Sequence, residues 1–247
     1  MSSFNLKQTA IKTFDTAGTK LLSPPMNGFG YFINHGPRNK RKVALTFDDG
    51  PSRPATEHLL EAMRKLDVKG TFFCLGVNVR YHPDLLLQMY QEGHVIGNHS
   101  GWHSRKTGLM PGSDIRHILD GEQAISEVLG VRPCFYRPPW GWLTPWEGHR
   151  LTKAGYKVIG WDVYTLDWVI PEVDGISLAR DAYRDTKPGS IYCFHDAKPW
   201  EKTWVKTETT RAIQSLVPML REQGYEFVTV AELLDVPGYV PKREVRT

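Results

Sequence analysis

Residues 42–50, KVALTFDDG, decide the fold. Val43, Ala44, Leu45 and Phe47 make a near-continuous apolar run, the pattern of a strand covered on both faces. The run ends in two adjacent carboxylates, Asp48 and Asp49. Neighbouring acids repel when both are ionised, so the pair is either a solvated turn or a site that holds something positive. Phe47-Asp48-Asp49-Gly50-Pro51 has the wrong chemistry for a phosphate-cradling glycine loop.

Working outward, short apolar runs at 71–75, 94–98, 134–137, 157–161, 190–194 and 226–229 read as six further strands. Helical patterns lie between them at 55–66, 83–92, 113–129, 146–154, 176–186 and 207–223. In the third of these, Ile115, Ile118, Leu119, Ile125, Val128 and Leu129 are expected on one face, and Gly130 is placed to stop the helix. Pro83 suits a first helical turn, whereas Pro218 predicts a kink or break. Alternating strands and helices imply an α/β fold with a mostly parallel sheet covered by helices. Seven strands leave an open doubly wound sheet and an irregular barrel both available. Residues 1–40, punctuated by Pro24, Pro25, Gly28, Gly30, Gly36 and Pro37, read as an irregular extension, and 41–247 as one domain.

The chain has 247 residues, 40% hydrophobic and 23% charged, enough for one substantial core. Its net charge of +4 gives no dedicated nucleic-acid surface, and the cluster Arg38, Lys40, Arg41, Lys42 reads as a solvated flank to the first strand. Cys74, Cys134 and Cys193 sit in apolar contexts without zinc-knuckle or disulfide spacing and read as buried thiols. No stretch approaches the roughly 20 apolar residues of a membrane span, and no signal-peptide core is visible. The expectation is a cytoplasmic monomer, or an extracellular or periplasmic one if a leader has been removed.

In α/β folds the loops after the C-terminal strand ends collect the chemistry. Here that rule gathers Asp48 and Asp49, His99 and His103, Arg137, Asp162 and Asp167, and His195 with Asp196. Two imidazoles four apart can meet on one ion, and one carboxylate completes a set of two histidines and one acid with room for water. Ligation offsets the repulsion within the acidic pair: one acid binds the cation while the other stays an ionised base. Arg137 is suited to hold the free aspartate, His195 to protonate a leaving group, and Asp167 to keep that imidazole oriented and basic. Trp140, Trp168 and Trp200 are candidates for apolar walls against sugar faces.

Five motifs in order, Thr46-Phe-Asp-Asp-Gly50, His99-Ser-Gly-Trp-His103, Arg137-Pro-Pro-Trp-Gly141, Asp162 to Trp168 and Cys193-Phe-His-Asp196, give the chain a resemblance to the polysaccharide deacetylase family, also called NodB-homology or carbohydrate esterase family four. The resemblance covers about residues 42 to 235. It implies a distorted (β/α) barrel of about seven strands. It implies Asp48 as general base, Asp49, His99 and His103 as metal ligands, Arg137 as partner of Asp48, His195 as general acid supported by Asp167, and the Trp140 backbone N–H as an oxyanion donor. The metal it implies is zinc, with cobalt or another divalent ion as substitute. Pro138, Cys193, Trp168 and Trp200 are the expected substrate contacts. Cys193 departs from the leucine common in similar proteins, and Tyr164 stands where a smaller or acidic residue is frequent. The expected activity is removal of N-acetyl groups from N-acetylglucosamine-containing glycans of chitooligosaccharide or peptidoglycan type. An O-acetyl esterase on xylan or another acetylated polysaccharide and a noncatalytic carbohydrate-binding protein are the alternatives.

Overall fold

A computed structural model describes residues 31–104, 113–141, 143–168, 174–199, 203–204 and 207–242. The main sheet has eight strands: β1 (Phe32–Ile33), β2 (Thr46–Asp48), β3 (Thr71–Cys74), β4 (Val95–Asn98), β5 (Phe135–Tyr136), β6 (Lys157–Ile159), β7 (Val163–Tyr164) and β8 (Tyr192–His195). Their order is β1-β6-β5-β4-β3-β2-β8-β7, and every neighbouring pair runs parallel. Beyond β1, His35 bridges Ser190 and the Gly36 N–H donates to the Gly189 carbonyl at 2.8 Å. That contact brings the β1 edge against the start of β8, and the sheet curls into a distorted barrel.

The alternation expected of a strand covered on both faces divides its residues between two cores. Val43, Leu45 and Phe47 pack toward the helices with Phe72, Tyr192 and Phe194. Ala44 packs inside the barrel with Phe73, Phe135, Ile159 and Ile191. Phe47 stacks on Phe72 at 4.8 Å and on Phe194 at 6.0 Å, tying the three central strands together from outside. Thr46 and Asp48 share the parity of Ala44, so Asp48 reaches the inner end of the barrel at the C-terminal edge of its strand.

The outer layer comprises α1 (Ala55–Lys65), α2 (Gly76–Tyr81), α3 (Pro83–Gln91), α4 (Ser113–Leu129), α5 (Pro145–Lys153), α6 (Gly175–Asp185), α7 (Glu208–Glu222) and α8 (Val230–Leu234). The six helices expected from periodicity are present within about a residue, and Pro83 opens α3. Several expectations need correction. Pro218 lies on the exposed side of an uninterrupted α7, where Ala212, Ile213, Leu216, Val217 and Leu220 are buried and hold the helix through the proline. Leu119 is not on the buried face of α4 but 44% exposed. The run at 226–229 forms only a short strand, Glu226–Phe227, paired with Lys42–Val43 outside the eight-stranded sheet. Strand β1 lies within the stretch expected to be irregular, and residues 1–30 lie outside the described residues. The basic cluster is the exposed flank expected, with surface contacts from Arg38 to Asp162 at 2.7 Å, Arg41 to the Gln223 carbonyl at 2.5 Å and Lys42 to Glu226 at 3.2 Å. Among the described residues, no helix is long and apolar enough to cross a membrane.

Candidate active site and metal centre

The site is built where β2, β3, β4, β5 and β8 end. Asp48 pairs in register with Phe73 on one side and His195 on the other. Asp49 then leaves the strand with φ of 80°, so both acids turn into the same crevice instead of pointing to opposite faces. The turn is fixed from several sides. The Asp49 N–H donates to the Phe73 carbonyl at 3.2 Å, and Asn78 Nδ2 to the Asp49 carbonyl at 2.6 Å. The Gly50 N–H donates to Asp196 Oδ1 at 3.1 Å, and a Cβ at Gly50 would come 2.1 Å from Asp196 Oδ2, so only glycine fits.

Asp49 Oδ1 lies 3.5 Å from His99 Nε2 and 3.7 Å from His103 Nε2. All three side chains are buried, and Asp49 Oδ1 has no hydrogen-bond partner. Burial, with the charges of Asp48, Asp196 and Asp167, holds the Asp49 carboxyl well above the usual range despite the opposing pull of His195. His99 Nδ1 donates to the Arg137 carbonyl at 2.7 Å, which sets the tautomer and leaves the Nε2 lone pair toward Asp49. Burial lowers the His99 pKa to about 4, so the imidazole is neutral and able to ligate. A tetrahedral site with bonds of about 2.0–2.1 Å has ligand–ligand edges of about 3.3–3.4 Å. Separations of 3.5 and 3.7 Å around an orphaned carboxylate oxygen therefore fit a divalent cation.

Asp48 is held differently. Its Oδ1 accepts from Arg137 Nη1 at 2.7 Å, and the arginine is wholly buried. Arg137 also donates to Thr46 Oγ1 at 2.6 Å and to the carbonyls of Ile159 and Gly160 at 3.2 and 2.8 Å, while its guanidinium lies over the Phe73 ring at 4.1 Å. Cys193 Sγ is 3.5 Å from Asp48 Oδ2. Across the crevice His195 Nδ1 meets Asp167 Oδ1 at 2.8 Å, and the His195 backbone N–H donates to Asp167 Oδ2 at 2.7 Å. Thr209 donates to the same carboxylate at 2.7 Å. Burial pulls the His195 pKa down, but Asp167, Asp49 and Asp48 together outweigh it and raise the value above the ordinary histidine range.

Trp140 follows the buried Pro138-Pro139 pair in a left-handed conformation (φ 63°), with its ring against His103 at 4.6 Å. The Trp168 indole N–H donates to the Tyr164 hydroxyl at 2.7 Å. Trp200 lies outside the described residues. Asp162, gathered by the strand-end rule, is spent on Arg38, Ser190 and the Ile191 N–H and stands apart from the crevice chemistry. Sequence reasoning assigned no task to Asp196, Thr46, Asn78 or Thr209, which hold the reactive groups in place. It also passed over Trp102, 45% exposed between the two histidines, whose position inside their motif was the available signal.

Comparisons with known proteins point to one family. Residues 35–159 match the polysaccharide deacetylase family model. A peptidoglycan-N-acetylglucosamine deacetylase of Bacillus cereus is 32% identical over 216 residues, covering 87% of this chain and 98% of the relative. The crystal structure of a peptidoglycan N-acetylglucosamine deacetylase in complex with 4-naphthalen-1-yl-N-oxidanyl-benzamide superposes with a TM-score of 0.81 at 29% identity, covering 87% of this chain and 99% of that one. A family 4 acetyl xylan esterase from Clostridium thermocellum in complex with a cobalt ion gives 0.69 at 30% identity, covering 80% and 94%. With the motifs, the curled parallel sheet and these relatives in agreement, the chain belongs to the polysaccharide deacetylase family.

Proposed function

We propose that the protein hydrolyses N-acetyl groups on N-acetylglucosamine units of a glycan of peptidoglycan or chitooligosaccharide type, with a divalent cation, zinc foremost, on Asp49, His99 and His103. The observation that carries this reading is the pairing of Asp48 with Arg137 and of His195 with Asp167 around that ligand set. The relatives named as peptidoglycan deacetylases favour the N-acetyl substrate.

A divalent cation so held supplies Lewis acidity toward an acyl oxygen and a nearby water. Asp48, with one oxygen fixed by Arg137, takes the proton of the attacking water. The Trp140 backbone N–H is the proposed donor to the developing oxyanion, a role indifferent to the tryptophan side chain. His195, oriented by Asp167 and with its pKa raised above the ordinary histidine value, gives its proton to the departing nitrogen, because an amine anion is a very poor leaving group. Acetate and a free amino sugar result. Pro138, Cys193, Trp168 and Trp200 are the proposed contacts for the acyl group and sugar.

Acetate release from chitooligosaccharides and peptidoglycan fragments tests the reading: activity should require divalent metal and stop with chelator. Turnover unaffected by chelation would overturn it. The likeness to an acetyl xylan esterase favours, as second reading, an O-acetyl ester substrate on the same site. Faster release from acetylxylan than from chitooligosaccharides would select that second reading.

A further inference from the structure

We propose that Asp48, Cys193 and His195 form a second, inhibitory site for a thiophilic divalent cation, which fills when zinc is in excess and ties up the groups that move protons. Cys193 and His195 are two residues apart on β8 and so project to the same side of the sheet, and His195 is in register with Asp48 on β2. One ligand atom from each of the three lies within 4.8 Å of the others.

Two of the donor atoms are already oriented for it. Arg137 holds Asp48 Oδ1 and Asp167 holds His195 Nδ1, which leaves Asp48 Oδ2 and His195 Nε2 as the donors, each backed by a fixed partner. The 3.5 Å between Cys193 Sγ and Asp48 Oδ2 matches a tetrahedral zinc site. Bonds of about 2.3 Å to sulfur and about 2.0 Å to oxygen put the S···O edge at about 3.5 Å. The His195 side chain is 15% exposed, which gives an ion a way in, and a water completes the coordination.

Burial, with the adjacent Asp48 carboxylate, keeps Cys193 in its thiol form. Binding replaces that proton and the Nε2 proton that His195 carries as general acid: the thiol, the imidazolium and the dication give a metal thiolate with a neutral imidazole ligand and two protons released to solvent, with no change of oxidation state. A thiolate donor favours zinc, cobalt or cadmium over magnesium and calcium. A leucine at this position, as in many similar proteins, has no such donor, so the sensitivity belongs to this chain's cysteine. Inhibition rests on the proposed deacetylase reading, because it follows from withdrawing Asp48 and His195; binding does not.

The test titrates metal-free full-length protein with Co2+, following stoichiometry and the thiolate-to-cobalt charge-transfer absorption in the near ultraviolet. Two equivalents are expected, with the band developing only with the second. Cys193→Ala should keep the first equivalent and lose both the second and the band, and Cys193→Ser replaces it should the alanine variant not fold. In parallel, acetate release, with each protein scaled to its own rate at one equivalent because Cys193 is also a proposed substrate contact, should fall as Zn2+ passes one equivalent in the wild type and hold level in the variant. Saturation at one equivalent without a band, a band that grows with the first equivalent, or a band that survives Cys193→Ala overturns the site. Two equivalents with the band, but no acetate release from any glycan, would overturn the proposed function and leave the site standing.

Discussion

Asp48 and Arg137 are joined at 2.7 Å, and the guanidinium is wholly buried with its other donors on Thr46, Ile159 and Gly160. The arginine thus spans β2, β5 and β6 and positions the carboxylate. Lysine has too few donors to make this fork. Arg137→Ala should destabilise by about 3–5 kcal/mol, because it leaves Asp48 as an unpaired buried acid. Arg137→Lys should fold better than Arg137→Ala and still lose turnover with its metal content unchanged. Denaturant midpoints and metal analysis of both variants check this, and full activity in Arg137→Lys would remove the fork argument.

The two neighbouring acids should fail in different ways. Asp48→Asn should keep its metal and lose about 10²–10⁴-fold in kcat/KM, the usual range for a general base. Asp49→Asn should lose metal affinity by more than the about 10–100-fold typical of groups that only support a ligand. Metal content after dialysis, measured beside acetate release, separates the two. The reverse pattern would exchange their roles.

His195 carries a raised pKa that depends on Asp167. As proton donor it is active while protonated, so activity should fall on the alkaline side as pH rises through that pKa. Burial alone pulls the value down, and removing the Asp167 charge leaves that pull with less opposition. Asp167→Asn should therefore shift the alkaline limb to lower pH and lower the maximum. A pH–rate profile of kcat/KM at saturating metal reads both effects, and an unmoved alkaline limb would separate His195 from the proton transfer.

The elements legible in the sequence are those with a local cause. Pro83 at the start of α3, Gly130 at φ 71° after α4 and the apolar runs of β2, β3, β4 and β8 all act within a few residues. Strand β1 is two residues long and exists through pairing with β6, 126 positions away by the register Phe32 to Val158. Nothing near Phe32 announces that partner. Helix α2 begins at Gly76 with no side-chain cap, so it too lacks a start signal. Within the site, the reactive residues were legible because strand ends and motifs mark them. Asp196 was not assigned a role because its partners, Gly50 and Thr56, lie 146 and 140 residues away. Its pKa of about 7, raised chiefly by burial, reflects that closed position under the Asp49 turn. Pro218 misled because helix propensity is a weak prior beside the buried face of α7.

Acid stability should depend on a histidine far from the chemistry. His94 is 3% exposed, meets the Phe72 ring edge-on at 5.2 Å and accepts the Gly70 N–H at Nδ1, 3.1 Å away. Burial, with the positive charges of Lys69 and Arg64 and against that of Glu92, lowers its pKa to about 4. An acceptor nitrogen cannot be protonated without losing that hydrogen bond. Above the ordinary value of about 6.5 the folded and unfolded chains both hold it neutral, and it adds no pH dependence. As pH falls below that value the unfolded chain takes up the proton while the folded one does not, so stability declines until about pH 4, by at most about 3 kcal/mol. Urea midpoints between pH 7 and 4 should therefore slope more steeply in the wild type than in His94→Gln, whose amide oxygen still accepts a hydrogen bond and does not titrate. The difference between the two slopes isolates His94 from the carboxylates that titrate below it, and identical slopes would show that the buried imidazole is not the source.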